Sequence, residues 1–188
     1  MKLILASNSP RRREILSQHG FNFDILVSNF NETESGISAK ELAKNNAVGK
    51  AKEVYFRLQS QGEKDFCVLS ADTIVYFNGK VLGKPKSKEQ AIEMLSLLSN
   101  NTHTVITGYS IISENSIKNG IEETEVVFNN LSKKEILEYV ETGKPMDKAG
   151  AYGIQDGYNL VKELKGSFYN VVGLPIETVS PILANILK

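Results

Sequence analysis

The run from Asp65 to Phe77 is the most apolar of the chain, and it constrains the fold more than any other. Phe66-Cys67-Val68-Leu69 and Ile74-Val75-Tyr76-Phe77 read as one buried strand, with Ser70-Ala71-Asp72-Thr73 between them. Asn78-Gly79 follows, a two-residue hairpin signal, and Lys80-Val81-Leu82 begins the return strand. Asp72 is out of place in such a strand, because an ionised carboxylate there is costly unless it is paired, hydrogen-bonded or bound to metal. Two readings are open. Ser70 to Thr73 is a bulge or strand end that reaches the surface, or Asp72 lines a cleft, where it binds a divalent cation or deprotonates water.

A second constraint stands at the N-terminus. Met1 to Ala6 reads as a short strand, Ser7-Asn8-Ser9-Pro10-Arg11-Arg12-Arg13 as a tight polar turn, and Glu14-Ile15-Leu16 as the opening of a helix that Gly20 closes. Ser9 suits the N-cap and Pro10 the first helical position. Helix N–H groups and three arginines together make a seat for an anion such as phosphate. The plainer alternative is a capped surface helix with a solvated basic face.

The pattern then alternates between elements. Phe21 to Val27 reads as a strand and Asn29 to Gly36 as an acidic loop carrying Glu32 and Glu34. Ser38 with Glu41 forms a capping box for a helix to about Gln59, with Leu42, Val48, Val54 and Leu58 inward and Lys44, Lys50 and Lys52 toward water. Glu89 to Leu98 is an amphipathic helix with Ala91, Met94, Leu95 and Leu98 on one side. Thr102 to Ile112 and Glu123 to Phe128 read as strands, with a hairpin-like connection around Asn115 to Gly120. Ser132 caps a helix from Lys133 to Thr142, with Glu135 completing its capping box. A strand over Asn159 to Lys162, an apolar segment over Val171 to Pro175 and a helix from Glu177 complete the chain. Strands and helices interleave without repeat or linker. The expectation is therefore an α/β protein on a mixed sheet, residues 1–188 forming one folding unit with two lobes around a central cleft.

Two further stretches carry possible chemistry. Lys84 lies between Gly83 and Pro85, where the chain is extended and open to close approach; a solvated lysine is the alternative. Gly143 to Gln155 is aperiodic and holds three glycines, which suits a loop that approaches a ligand, and the Gln155 amide suits a base edge.

Composition narrows the function classes. Lys plus Arg and Asp plus Glu both number 22, so no global field favours nucleic acid or a membrane surface, and an anion site must come from local clustering. The single cysteine, Cys67, excludes an internal disulfide and a Cys-rich zinc module, and reads as a small buried residue. His19 and His103 lack neighbours at metal spacing. Neither a Walker loop nor a Rossmann fingerprint is present, and Ser7 and Ser9 have no nearby base for nucleophilic catalysis. The apolar run at the N-terminus stops too early for a signal peptide, and no stretch approaches the roughly 20 residues of a bilayer span. A cytoplasmic protein is the expectation.

Taken in order, Ala6 to Arg12, Ala43 to Lys52, Ser70 to Val75, Gly83-Lys84-Pro85, Ala91 with Met94-Leu95, His103 to Gly108, Thr124 with Val126 and Phe128, Asp147 to Gln155 and Val171 to Pro175 resemble the Maf family of nucleotide pyrophosphatases. One departure is Asn100-Asn101, where a glycine commonly follows Leu-Ser in that family; it affects a turn. The resemblance implies an elongated mixed sheet with flanking helices, as in inosine-triphosphatase-like enzymes. It further implies hydrolysis of a nucleoside triphosphate between its α and β phosphates, and a homodimer. Asp72-Thr73 and the Lys148 to Gln155 segment look like the branch that acts on dTTP and UTP.

Under this resemblance Asp72 is the catalytic residue, as general base or through a bound Mg²⁺ or Mn²⁺. Ser7, Arg11, Arg12, Lys50 and Lys84 are the phosphate-binding candidates. Arg11, Thr73 and Gln155 match the specificity positions, and Glu32 joins Asp72 as second metal ligand; hard oxygen donors suit Mg²⁺ or Mn²⁺. The rivals are a regulator that senses pyrimidine nucleotides without cleaving them, nucleic-acid binding through Arg11 to Arg13, and a purine enzyme of the inosine-triphosphatase kind.

Overall fold

The computed structural model describes residues 1–33 and 38–188. Of the acidic loop expected over 29–36, Glu34, Ser35 and Gly36 lie outside the described residues.

The run with Asp72 in it forms one unbroken strand, β3 (Phe66–Phe77), without a bulge. Ten of its residues, Cys67 to Tyr76, pair antiparallel with β5 (Thr102–Ser113), and β5 pairs along its whole length with β6 (Ser116–Phe128). Asn78 (φ 47°) and Gly79 (φ 78°) are both left-handed, as a two-residue hairpin requires, and turn β3 into β4 (Lys80–Leu82). Strand β1 (Lys2–Leu5) runs parallel to β3 and to the two-residue β2 (Asp24–Ile25), and β7 (Val161–Lys165) closes the far side against β6. The sheet order is β2-β1-β3-β5-β6-β7, with β4 paired to β3, a mixed sheet as expected.

One detail of this topology makes the cleft. Along its edge away from β5, β3 pairs with β1 over Phe66–Leu69 and with β4 over Val75–Phe77. Ser70 to Ile74 lies between those two ladders. Because β1 is parallel and β4 antiparallel to β3, both strands run toward this gap and deliver their C-terminal ends there. Out of β1 comes the Ser7 turn and helix α1 (Pro10–Gln18); out of β4 comes Gly83-Lys84. Loops at the ends of converging strands are where α/β sheets bind ligands.

Successive β3 residues face opposite sides of the sheet. Cys67, Leu69 and Ala71 pack beneath α1, α5 (Phe168–Val172) and α6 (Ile176–Ile186), with Ile15, Leu16, Val172, Val179 and Leu183. Burial raises the Cys67 thiol to about 11, so it behaves as a small apolar residue. Phe66, Val68 and Ile74 face α2 (Ala39–Ser60), and Asp72 shares that face. Beyond the cleft, α3 (Lys88–Leu98) and α4 (Lys133–Glu141) cover Val75, Phe77 and Val105 with Leu95, Leu98 and Tyr139.

The capping boxes at Ser38–Glu41 and Ser132–Glu135 are both formed. Other expectations shift. The strand expected over Phe21 to Val27 is only two residues, because β1 ends at Leu5 and its ladder pairs only Asp24 and Ile25, with one further bond from the Leu26 N–H to the Leu5 carbonyl. Strand β6 begins at Ser116, seven residues earlier than expected, since pairing with β5 carries the polar Ser116–Glu122 stretch along. The last strand starts at Val161 and reaches Lys165. Ser9 holds the N-cap position of α1, but its side chain makes no capping hydrogen bond; its N–H donates to Ser7 Oγ at 3.2 Å instead.

Gly108 sets the distance of α2 from the sheet. It lies opposite Asp72 in the β3–β5 ladder, and a Cβ there would run into the Ala43 carbonyl. Gly108→Ala is therefore expected to push α2 away from the sheet and destabilise the protein by about 1–3 kcal/mol, read as a lower urea midpoint with an unchanged m-value.

Candidate active site

Along the β3 edge away from β5, where Ser70 to Ile74 has no strand beside it among the described residues, a cleft of about 1100 Å³ opens. Among the described residues six cationic side chains and four carboxylates line it, so the clustering that a chain of zero net charge requires is present here.

Its floor is Asp72. The residue is 8% exposed, and each carboxylate oxygen has a partner from α2. Lys50 Nζ donates to Oδ1 at 2.7 Å, and Asn46 Nδ2 donates to Oδ2 at 3.1 Å. Asn46 and Lys50 stand four residues apart and so share one helix face. Lys50, expected toward water, instead has a side chain only 12% exposed, because the close approach at Gly108 brings that face over Asp72. A buried carboxylate with a cation and an amide on it is tolerated where a lone one would not be.

Glu32 reaches the same lysine, its Oε1 2.6 Å from Nζ. The segment carrying it is fastened to α2 at three points. Glu53 accepts from Ser28 Oγ and Asn29 N–H, both at 2.9 Å. Phe30 lies over Gly49, where any Cβ would strike the ring. Thr33 N–H donates to Asn46 Oδ1 at 2.9 Å, and Asn46 Nδ2 donates to the Thr33 carbonyl at 3.0 Å. Two carboxylates thus converge on one cation, a donor set of hard oxygens.

Thr73, next along the strand, faces the other side. Its hydroxyl meets Arg12 Nη2 at 3.1 Å and Thr107 Oγ1 at 2.9 Å. Each Arg12 nitrogen has a partner, Nε donating to the Gly173 carbonyl at 2.8 Å and Nη1 to Ser7 Oγ at 3.1 Å, which leaves two N–H groups for a ligand. Burial works against the guanidinium's charge and holds its pKa below the usual value, with nearby Asp72 opposing the shift. The result is a cation fixed in position before any ligand arrives.

Arg11, by contrast, points across the cleft, where Nη1 meets Asp147 Oδ2 at 3.0 Å. Asp147 Oδ1 also accepts from Lys148 Nζ at 2.8 Å, and Lys148 lies 3.4 Å from Asp156 Oδ2. Burial tends to raise the Asp147 carboxyl, but hydrogen bonds from Lys148 and Arg11 win and hold it below its ordinary range. Lys84 and Gln155 are exposed and line the cleft, their segments tied together by the Gly150 N–H donating to the Gly83 carbonyl at 3.1 Å.

The Gly143 to Gln155 stretch consists of two short 3-10 turns, Lys144–Asp147 and Ala149–Ala151, and an open loop. Gly150 (φ 67°) sits against Val75, with room for little more than a hydrogen, and Tyr139 OH receives the Gly153 N–H at 3.0 Å while donating to Asp156. Tyr152 is buried and its OH is 2.7 Å from His103 Nε2.

All nine expected site residues (Ser7, Arg11, Arg12, Glu32, Lys50, Asp72, Thr73, Lys84 and Gln155) line this one cleft. Asn46, Asp147, Lys148 and Asp156 join them without a role read from the sequence, although Asp147 and Lys148 lie in the Gly143 to Gln155 stretch expected to approach a ligand. Asn46 had a signal, its spacing of four from Lys50 within an otherwise Ala-rich face; the other three lie in an aperiodic loop that offers no spacing to read.

Burial pushes the His103 imidazole from 6.5 down to about 4. The unfolded chain takes up a proton between those values and the folded protein does not, so stability is lost as pH falls from 6.5 toward 4. Urea midpoints at pH 7 and pH 4.5 are expected to drop further for wild type than for His103→Gln, which keeps a partner for Tyr152 and does not titrate.

The chain matches the family model described as Maf-like protein over residues 2–186. It is 46% identical to the dTTP/UTP pyrophosphatase of Alkaliphilus oremlandii over 188 residues, 98% of this chain and 95% of that one. Identity to the dTTP/UTP pyrophosphatase of Thermococcus kodakarensis is 48% over 178 residues, covering 94% and 93% of the two chains. The protein of the same name from Caldicellulosiruptor saccharolyticus is 45% identical over 186 residues, 97% and 93% of the two.

Proposed function

The chain belongs to the Maf-like protein family, and from that premise we propose that it hydrolyses dTTP and UTP to the nucleoside monophosphate and pyrophosphate. The observation that carries the reading is Asp72, a buried carboxylate held by Lys50 and Asn46 at the floor of a cleft rich in cations.

The chemistry needs three things: a water oriented toward the α phosphorus, a group to take its proton, and positive charge on the leaving pyrophosphate. Asp72 is the proton acceptor, with lone pairs left on both oxygens beyond those that meet Lys50 and Asn46. As the water oxygen bonds to the α phosphorus, the bond from that phosphorus to the α–β bridging oxygen breaks, and its electron pair leaves with pyrophosphate. Arg12 is prefixed by Ser7, Thr73 and Gly173, so it stabilises developing charge without first reorganising. Arg11, Lys84 and Ser7 complete the phosphate contacts, and Lys50 joins them by turning from the carboxylates toward a phosphate. Gln155 offers a donor and an acceptor to a pyrimidine's carbonyl and N–H edge. The Arg11 guanidinium adds to that discrimination from the opposite wall. Thr73 contributes to it through Arg12, since its hydroxyl is already committed there.

Asp72 and Glu32, already converging on one ammonium, suit Mg²⁺ or Mn²⁺, which takes one or two protein carboxylates and leaves its remaining positions to water and phosphate oxygens. Such an ion supplies charge neutralisation on the triphosphate. No helix among the described residues is long and apolar enough to cross a membrane. The reading extends to residues 1–188 as one folding unit, acting as a cytoplasmic homodimer.

The test is pyrophosphate release from dTTP, UTP, CTP, dATP, GTP and 7-methyl-GTP with Mg²⁺ or Mn²⁺. Turnover confined to dTTP and UTP is expected, falling by about 10² or more in Asp72→Asn. A wild type that binds these nucleotides but never cleaves them is a sensor, and this reading is then wrong.

A further inference from the structure

One carboxylate in the cleft, Asp147, has an arrangement that the catalytic reading leaves unused. The Asp147 carboxylate lies between two cations from opposite walls: Oδ2 is 3.0 Å from Arg11 Nη1 and Oδ1 is 2.8 Å from Lys148 Nζ. An oxyanion bridging a guanidinium and an ammonium is the arrangement in which proteins hold phosphate. The three side chains differ in how firmly they are placed. Lys148 is 10% exposed and remains anchored without Asp147, through the Lys144 carbonyl at 2.5 Å and Asp156 at 3.4 Å. Asp156 is in turn fixed by Tyr139. Asp147 is the exposed member, its side chain 58% accessible, at the end of a short 3-10 turn. Its carboxylate can swing out while Lys148 stays anchored and Arg11 Nη2 keeps the Asp147 carbonyl at 3.5 Å.

Resting on the proposed activity, we propose that Asp147 is an internal stand-in for a phosphate group, and that Lys148 is a further phosphate-binding residue which triphosphate or pyrophosphate engages by displacing that carboxylate from between Lys148 and Arg11. No bond is made or broken; one anion replaces another. The device has a functional consequence. A carboxylate that returns to the two cations competes with the product, so pyrophosphate leaves faster than from a cleft in which Arg11 and Lys148 had no counter-charge. Removing the Asp147 charge is thus expected to tighten binding, opposite in sign to what loss of an ordinary binding residue does.

Calorimetric titration with inorganic pyrophosphate tests this without turnover and without a base to be read. Asp147→Asn, which keeps the side chain's shape, is expected to bind pyrophosphate on the order of fivefold more tightly than wild type, as the loss of one partly exposed carboxylate competing for the two cations allows. Lys148→Met is expected to bind it on the order of fivefold more weakly, Lys148→Arg to restore most of the affinity, and the double variant Asp147→Asn with Lys148→Met to lack the gain of the first. Melting temperatures confirm which variants fold. If folded Asp147→Asn binds pyrophosphate no more tightly, or if Lys148→Met leaves pyrophosphate affinity intact and weakens only the nucleoside monophosphate, the proposal is wrong. In that event turnover of dTTP by wild type leaves the activity standing. A wild type that neither binds pyrophosphate nor cleaves dTTP removes both.

Discussion

The contact on which the rest of the structure depends is the one between Lys50 and Asp72. Asp72 belongs to a strand whose other α2-facing residues are almost all apolar, and burying its charge alone would cost several kcal/mol. Lys50 and Asn46 remove that cost only if α2 lies close to the sheet, and Gly108 permits it by presenting no side chain to the Ala43 carbonyl. Gly49 lets Phe30 nest on the outer side of the same helix, which brings Glu32 to Lys50. A single buried charge therefore accounts for two glycines, a buried asparagine and the course of the segment before α2.

Topology supplies the second half. Because β1 and β4 both end against the middle of β3 on its edge away from β5, the turn before α1 and the Gly83-Lys84 segment arrive at one place from opposite directions. Asp72 and Thr73, neighbours in sequence, face opposite sides of the sheet, so α2 supplies partners to one and the Arg12 turn supplies partners to the other. The cleft joins a fixed cation, Arg12, with cations that are held by carboxylates, Lys50 and Arg11, which under the proposed function exchange them for phosphates. Fixed charge suits stabilisation of a transition state and exchangeable charge suits release of an anionic product.

Much of this was legible in the residues, for identifiable reasons. Periodicity and caps located the longer helices, though not the short α5, because Ser38–Glu41 and Ser132–Glu135 are local signals that the structure obeys, and Asn78-Gly79 fixed the hairpin for the same reason. Asp72 stood out because an apolar strand makes a charge conspicuous. What could not be read depends on long-range pairing. The early start of β6 rests on β5 rather than on its own polar residues, and β2 is short because only two residues meet β1. Lys50 was placed toward water because helical spacing does not say how closely a helix approaches a sheet. Asp147, Lys148 and Asp156 sit in a loop whose contacts join positions up to 136 residues apart, which no local pattern encodes.

The central claim is that Asp72 directs water to the α phosphorus. It is tested most directly by letting the protein hydrolyse dTTP in water enriched in the heavy oxygen isotope and weighing the two products by mass spectrometry. The account predicts one heavy oxygen in the thymidine monophosphate and none in the pyrophosphate. Label in the pyrophosphate would mean attack at the β phosphorus, and the placing of Asp72 and the cations described here would be contradicted.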